Sequence, residues 1–539
     1  MEQRKPVITR FRVVVAVLAL CGVVCFTAGA ILIAQPQAKP NTKSILSNIQ
    51  QTSALKVSLT ALRPCMQLNG KTNATVYIVP RASYVEDDML EFDAILTQPG
   101  AEVTETYVLL DNRAYWSKSA LDGTPITAQC LTASQIPPIE LMQGSMEQSH
   151  VVSAVVDDDG EPIEMGCEIG QLLELKFAGE TFVLCKSRDN TMTHGLGDDL
   201  TFTVEYISDP TQVPDIVAPT NLECPVVRAS LPRADFTPNV ASSPSTDELN
   251  AAPMAKLGRS RCGCKGPRRP CLFVHGVGTN ASGPVVDSLS ETWGNIQDNA
   301  PCCTSTKFVQ METIKRGWTD GDIQDELCRY ALKYGTNSTG NTVGELILVS
   351  HSMGNLITGG ALATGRCKFS SRVTWVSLAG PMQGSKTSNL VENKCTSCEN
   401  DGDAFSGLLG LVGQCPVDRA YAQLKHQSTV DATLRNQYLA AQTARADHPN
   451  KNTLCGESAF GLVTTGSVLQ FVSSLSEHDT VNDGVVDVNS CSVGVGEFGT
   501  STTSTNYKAS VNHFDASFRN GDGWWGDHRK PIKWFQCVL

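Results

Sequence analysis

The chain has 539 residues, with 43 Lys and Arg against 55 Asp and Glu, a formal net charge of −12. Several domains fit that length at roughly 100–200 residues each, and a hydrophobic content of 41 % excludes a wholly disordered chain. The acidic balance argues against a nucleic-acid partner, whose phosphates need clustered Lys and Arg; the short basic stretch 259–269 reads as solvated linker.

Arg4, Lys5, Arg10 and Arg12 precede an uncharged run over 13–34. At 1.5 Å per residue such a run spans a bilayer core of about 30 Å. A signal anchor with its basic end in the cytoplasm is the favoured reading, and a cleaved signal with Ala28 and Ala30 at its site is the alternative. The anchor gives a membrane contact through the N-terminal segment 1–34, cleavage gives a secreted chain, and either sends the rest into the secretory pathway. Twenty cysteines agree: Cys21 and Cys25 lie in the apolar run, and the even remainder suits disulfides in an oxidising compartment. Sequons at Asn73, Asn280 and Asn337 add support. The pair Cys395 and Cys398 reads as structural disulfide cysteines, since no second CxxC accompanies it.

Residues 35–54, with Pro36, Pro40, Asn41 and Ser44, read as a polar stalk. Over 55–230 short alternating runs at 74–79, 107–110, 172–177, 182–185 and 200–207 are broken by turns at 111–112 and 178–180, which predicts a β-rich domain of unknown partner. It holds Cys65, Cys130, Cys167, Cys185 and Cys224, an odd set, so a disulfide to the second domain is expected. Residues 231–261, rich in Pro, Ser and Ala, read as a linker. Beyond it, strands at 271–275, 308–311, 346–350 and 373–379 alternate with helices at 322–334 and 355–363. That alternation predicts an α/β class with a mainly parallel sheet over 262–539.

The strongest chemical signal is Ser350-His351-Ser352-Met353-Gly354, where an apolar strand runs into a helix. A serine on such a turn is exposed above the sheet, and small residues on either side permit the close backbone approach. A second strand ends in His275-Gly276-Val277-Gly278. Acyl transfer needs two N–H donors for the oxyanion, each worth roughly 3 kcal/mol, and Val277 and Met353 are placed to supply them. His275, Gly276, Gly278 and Gly354 read as supporting residues, and His351 as structural.

On these residues the half from about 268 to 539 resembles the α/β-hydrolase superfamily, particularly its secreted lipases. The segment Leu378-Ala379-Gly380-Pro381-Met382-Gln383-Gly384-Ser385 resembles their post-strand turn, with Met382 where lipases often have His. Asn482-Asp483-Gly484-Val485-Val486 and Asn512-His513-Phe514-Asp515 match the bacterial lipase pattern. The resemblance implies Ser352 as nucleophile, Asp483 as orienting acid and His513 as base, in the chain order of that fold. His528 is the rival base, with His478 behind it, and Asp479 and Asp487 are rival acids. An insertion over about 386–463 is expected as a cap, with Phe405, Leu408, Leu409, Leu411 and Val412 as its core or as a lid.

The expected activity is hydrolysis of a carboxylic ester, most readily of a lipid, through an acyl-enzyme on Ser352, with no cofactor and no metal. Alternatives are an acyl-protein thioesterase, a glycolipid-anchor deacylase, and a non-catalytic surface glycoprotein on a hydrolase scaffold.

Overall fold

A computed structural model describes residues 42–82, 90–227, 253–258, 262–396, 416–462 and 466–539. The expected anchor over 13–34 lies outside them. No helix among the described residues is long and apolar enough to cross a membrane.

The largest element is an antiparallel sheet of eleven strands between Ala54 and Ile207. Its edges are Pro125–Cys130 and His150–Val152, and near its middle Ala54–Ala61 pairs with both Asn73–Ala82 and Leu200–Ile207. Tight hairpins need left-handed backbone at their tips. Asp111 and Asn112 (φ 49° and 58°) and Ala178 and Gly179 (φ 53° and 81°) provide it. One face buries Leu55, Phe92, Trp116, Leu173 and Phe182. The expected stalk contains instead a helix, Thr42–Gln51, whose Ile45 and Ile49 are fully buried in that same core. Part of the expected linker is also built in: Ala255–Lys256 pairs in parallel with Val155–Val156, and Ala255 and Leu257 are buried.

The second sheet has seven strands. In spatial order they are Gly283–Val286, Cys303–Gln310, Arg269–Val274, Leu346–His351, Val373–Leu378, Lys451–Gly456 and Asn506–Ala509. The first joins antiparallel and the other ladders are parallel, so the sheet is mixed. The α/β assignment, with its mainly parallel α/β-hydrolase sheet, is therefore corrected: the eleven-stranded antiparallel sheet dominates the chain, and the smaller sheet is mixed. The alternation at 271–379 is local to the smaller sheet, and the longer run of hairpins before it builds the larger one.

The expected cap is corrected in part as well. Helix Ala432–Asp447 packs on helix Met353–Ala363, where a Cβ on Gly359 would meet the Ala441 carbonyl at 2.9 Å. The strand Lys451–Gly456 then joins the mixed sheet beside Val373–Leu378. Only the earlier part, helices Lys386–Thr396 and Arg419–Gln423, flanks the site. The stretch 405–412 lies outside the described residues.

The two sheets have separate cores, joined where loops of the second half enter the first. Phe460 and Trp524, from loops of the second half, sit in the core of the antiparallel sheet, and Phe460 meets Trp116 edge-on at 6.4 Å. Beside them the fully buried Lys530 donates to Glu180 Oε1 at 2.5 Å and to Asp199 Oδ2 at 2.7 Å. Arg63 pairs with the buried Asp522.

Seven disulfides occur among the described residues, which marks an extracellular or secretory-route protein. Cys130 pairs with Cys224 and Cys167 with Cys185 inside the first half. Cys65 is a free thiol, so the disulfide expected between the halves is replaced by packing and ion pairs. Cys395 is disulfide-bonded, while Cys398 lies outside the described residues.

Candidate active site

The strand Leu346–His351 is buried at every position, and its last turn throws Ser352 into a left-handed conformation (φ 53°, ψ −129°) before helix Met353–Ala363 begins. A non-glycine residue costs of order 1–3 kcal/mol there and persists only when its surroundings hold it. Asn355 is the holder: its amide donates to the carbonyls of Ser350 (3.0 Å), Ser352 (3.3 Å) and Leu378 (3.0 Å). Ser350 is fully buried and meets the Thr358 hydroxyl at 3.0 Å.

The turn is also crowded. A Cβ on Gly276 would stand 2.6 Å from Ser352 Cβ, and one on Gly354 would stand 2.7 Å from the Val274 carbonyl oxygen. Glycine at both positions lets the strand end at 274 and the serine turn approach each other.

His513 bridges the serine and an acid. Its Nε2 lies 2.8 Å from Ser352 Oγ and its Nδ1 lies 2.8 Å from Asp483 Oδ2. The other Asp483 oxygen accepts from the N–H groups of Val485 (3.0 Å) and Val486 (2.7 Å), and the carboxylate is 1 % exposed. The backbone is tied too, since His513 N–H donates to the Asp483 carbonyl at 2.9 Å. A carboxylate on Nδ1 selects the tautomer whose Nε2 is free to accept the serine proton.

Two further histidines support this line. Burial pushes the pKa of His351 well below its ordinary value, so its ring is neutral; Nε2–H donates to the His513 carbonyl at 2.8 Å. Burial also lowers His275, whose Nε2 accepts from Met311 N–H at 3.0 Å. Its Nδ1–H then donates to the Gly276 carbonyl at 2.8 Å and sets the turn that presents Val277. Met353, as the first residue of its helix, has no intrahelical acceptor for its N–H. Val277 N–H has no backbone acceptor among the described residues, and Val277, Gly278 and Ser352 all line one cleft of about 230 Å³.

The rival residues are engaged elsewhere. His528 does not line the cleft, and burial with the Arg529 cation lowers it to about 4. His478 Nδ1 binds Asp487 at 2.8 Å. Burial opposes the Asp487 charge, but hydrogen bonds from His478 and the Thr480 N–H outweigh it and lower its pKa. Asp479 takes Lys386 at 2.6 Å. Asp515 is buried, which raises it, and it accepts from Leu462 N–H, Asn512 N–H and Asn520. Met382 is fully buried in the core rather than in the cleft.

Sequence reasoning did not single out Asn355, Tyr421, Leu469, Val472 or Arg519, although the last four line the cleft. The lone amide of Asn355 in an apolar helix start is the signal that could have drawn notice.

No family model matches the sequence, and no curated protein matches it. Among solved structures, a distant neighbour is phospholipase PlaB from Legionella pneumophila in complex with thio-NAD. It is 14 % identical over 41 % of this chain and 44 % of that one, with a TM-score of 0.27. A structure from a study of two prolyl endopeptidases is 13 % identical over 68 % of this chain and 49 % of that one, with a TM-score of 0.14. The chain therefore spans less than half the length of either structure.

Proposed function

We propose that this protein is a serine hydrolase that cleaves carboxylic esters through an acyl-enzyme on Ser352. The observation that carries the reading is the pair of 2.8 Å bonds from one imidazole, His513 Nε2 to Ser352 Oγ and Nδ1 to Asp483. A serine hydroxyl is a weak nucleophile until a neutral imidazole takes its proton. In the proposed step Ser352 Oγ attacks the ester carbonyl carbon while its proton passes to His513 Nε2. Asp483 then faces the imidazolium and stabilises it. The carbonyl oxygen becomes an oxyanion and accepts from the N–H groups of Val277 and Met353. Collapse breaks the bond to the alcohol, which leaves with the proton from His513. Water, deprotonated by the same His513, releases the acid and frees Ser352.

A lipid ester is the favoured substrate class, because Val391, Leu424, Leu469, Val472, Val485 and Val486 give the cleft an apolar wall. Membrane contact through the uncharged segment 13–34 belongs to the same proposal. The test is labelling of the purified chain with a fluorophosphonate, wild type against Ser352→Ala, followed by matched oxo- and thioesters. Covalent labelling lost in Ser352→Ala is the expected result. A correctly disulfide-bonded wild type that resists labelling even in detergent would return the protein to the class of binding glycoproteins.

A further inference from the structure

The cleft has a charge that the proposed chemistry does not use. Among the described residues that line it none is a carboxylate, and Arg519 is the single Lys or Arg. Its guanidinium packs over the Phe514 ring at 4.9 Å, next in sequence to His513. Its Nε is buried without a hydrogen-bond acceptor. Asp515 and Glu291 act on it only as charges at a distance and do not offset the burial that lowers its pKa. The oxygens of Asp515 are already occupied by Leu462, Asn512 and Asn520, and Glu291 faces solvent.

The buried Nε–H of this half-buried side chain lacks an acceptor, which is costly, and Arg is the side chain best matched to bidentate binding of phosphate or carboxylate. The lining divides by element. Val391 and Val472 pack together from helices Lys386–Thr396 and Gly466–Leu475. Thr292 joins Phe514 and Arg519 at another stretch, where Ser517 Oγ donates to the Thr292 carbonyl at 2.7 Å. The cleft thus offers the apolar Val391 and Val472 at one stretch and the cationic Arg519 at another to one molecule.

We propose that Arg519 is a specificity-determining residue that binds an anionic oxygen group, phosphoryl or carboxyl, on the ester substrate whose apolar arm lies along Val391 and Val472. This rests on the reading of Ser352 as the nucleophile. Arg519 takes no part in bond making; it orients an amphiphilic, acidic ester.

The test separates the two ideas. Octyl phosphate, octanoate, octanol and inorganic phosphate are titrated calorimetrically into the full chain carrying Ser352→Ala, so that no turnover intervenes. Octyl phosphate and octanoate are expected to bind at least about 10-fold more tightly than octanol, in line with a charge-assisted contact. Arg519→Met should erase that preference and Arg519→Lys should keep part of it, with thermal unfolding checking that each variant folds. Should Arg519→Met not fold, the salt dependence in the otherwise unmodified chain decides, because raised salt must weaken octyl phosphate and leave octanol unmoved. Equal affinity for octyl phosphate and octanol would overturn the proposal. So would inorganic phosphate that binds as tightly as octyl phosphate, which would make this a free-anion site. Fluorophosphonate labelling of the wild type is read separately: no labelling alongside a strong octyl phosphate preference would sink the hydrolase reading and leave the anion site standing.

Discussion

Lys530, fully buried, places its ammonium 2.7 Å from Asp199 of the antiparallel sheet, and Glu180 takes a second of its protons. The segment that carries Lys530 follows His513 closely in the chain, so this ion cluster ties the proposed base to the first half of the protein. Removing Lys530 leaves Glu180 as an uncompensated buried charge, while Asp199 keeps Lys533 at 2.8 Å; breaking such a buried pair typically costs about 3–5 kcal/mol. Lys530→Met is therefore expected to destabilise the whole chain by about that amount in urea unfolding. An unchanged midpoint would mean that the two halves do not depend on this contact.

Substitution at the site should separate chemistry from folding. Asp483→Asn is expected to lower kcat by about 10⁴, because the wrong histidine tautomer then faces Ser352. Gly276→Ala should cost roughly 10² by displacing the serine, since its Cβ would stand 2.6 Å from Ser352 Cβ. Ester turnover measured beside circular dichroism checks both, and full activity in either variant would break the assignment.

Stability should fall in mild acid. His528 is held at about 4, against an ordinary 6.5, by burial and the Arg529 cation. Its folded pKa is depressed, so the unfolded chain binds the extra proton between those values. The contribution is fully present above about pH 6.5 and is lost as the pH falls toward 4, up to about 3 kcal/mol. His351, also lowered by burial, acts with the same sign. Urea midpoints from pH 4.5 to 7.5 should rise with pH, and His528→Gln should flatten part of that slope. An equal slope in the variant would remove His528 from the account.

Cys65 should be silent in the native protein. Burial, with the Asp522 carboxylate nearby, raises its thiol to about 12, so little thiolate exists at neutral pH. Peptide mapping after iodoacetamide treatment should find Cys65 unmodified when folded and alkylated after urea. Rapid native alkylation would show that the seam between the two halves opens.

The side chains that meet at the cleft are more legible in the sequence than the fold is. Ser352, Asp483 and His513 each sit in a short segment whose chemistry is local, a strand-to-helix turn or an Asn-Asp-Gly loop, and local patterns survive in one sequence. The bonds from Asn355 to the Leu378 carbonyl and from His351 to the His513 carbonyl join positions distant in the chain, so spacing does not reveal them. The α/β assignment failed because it ranked two sheets by the clarity of one alternation. The stalk was misread because Pro36 and Pro40 drew more weight than the i, i+4 pair Ile45 and Ile49. The odd cysteine count predicted a bond that the ion cluster and aromatic packing make unnecessary.

Phe460 and Trp524 complete the interior of a sheet whose last strand ends at Ile207, 253 and 317 residues earlier in the chain. Cutting at the Pro- and Ser-rich stretch 231–261, where composition changes most sharply, would strand both aromatic rings in water and leave Lys530 without its acids. The smallest heritable piece that keeps this seam therefore includes hairpins that line no part of the cleft, and recombination that swaps either half must swap their shared seam with it.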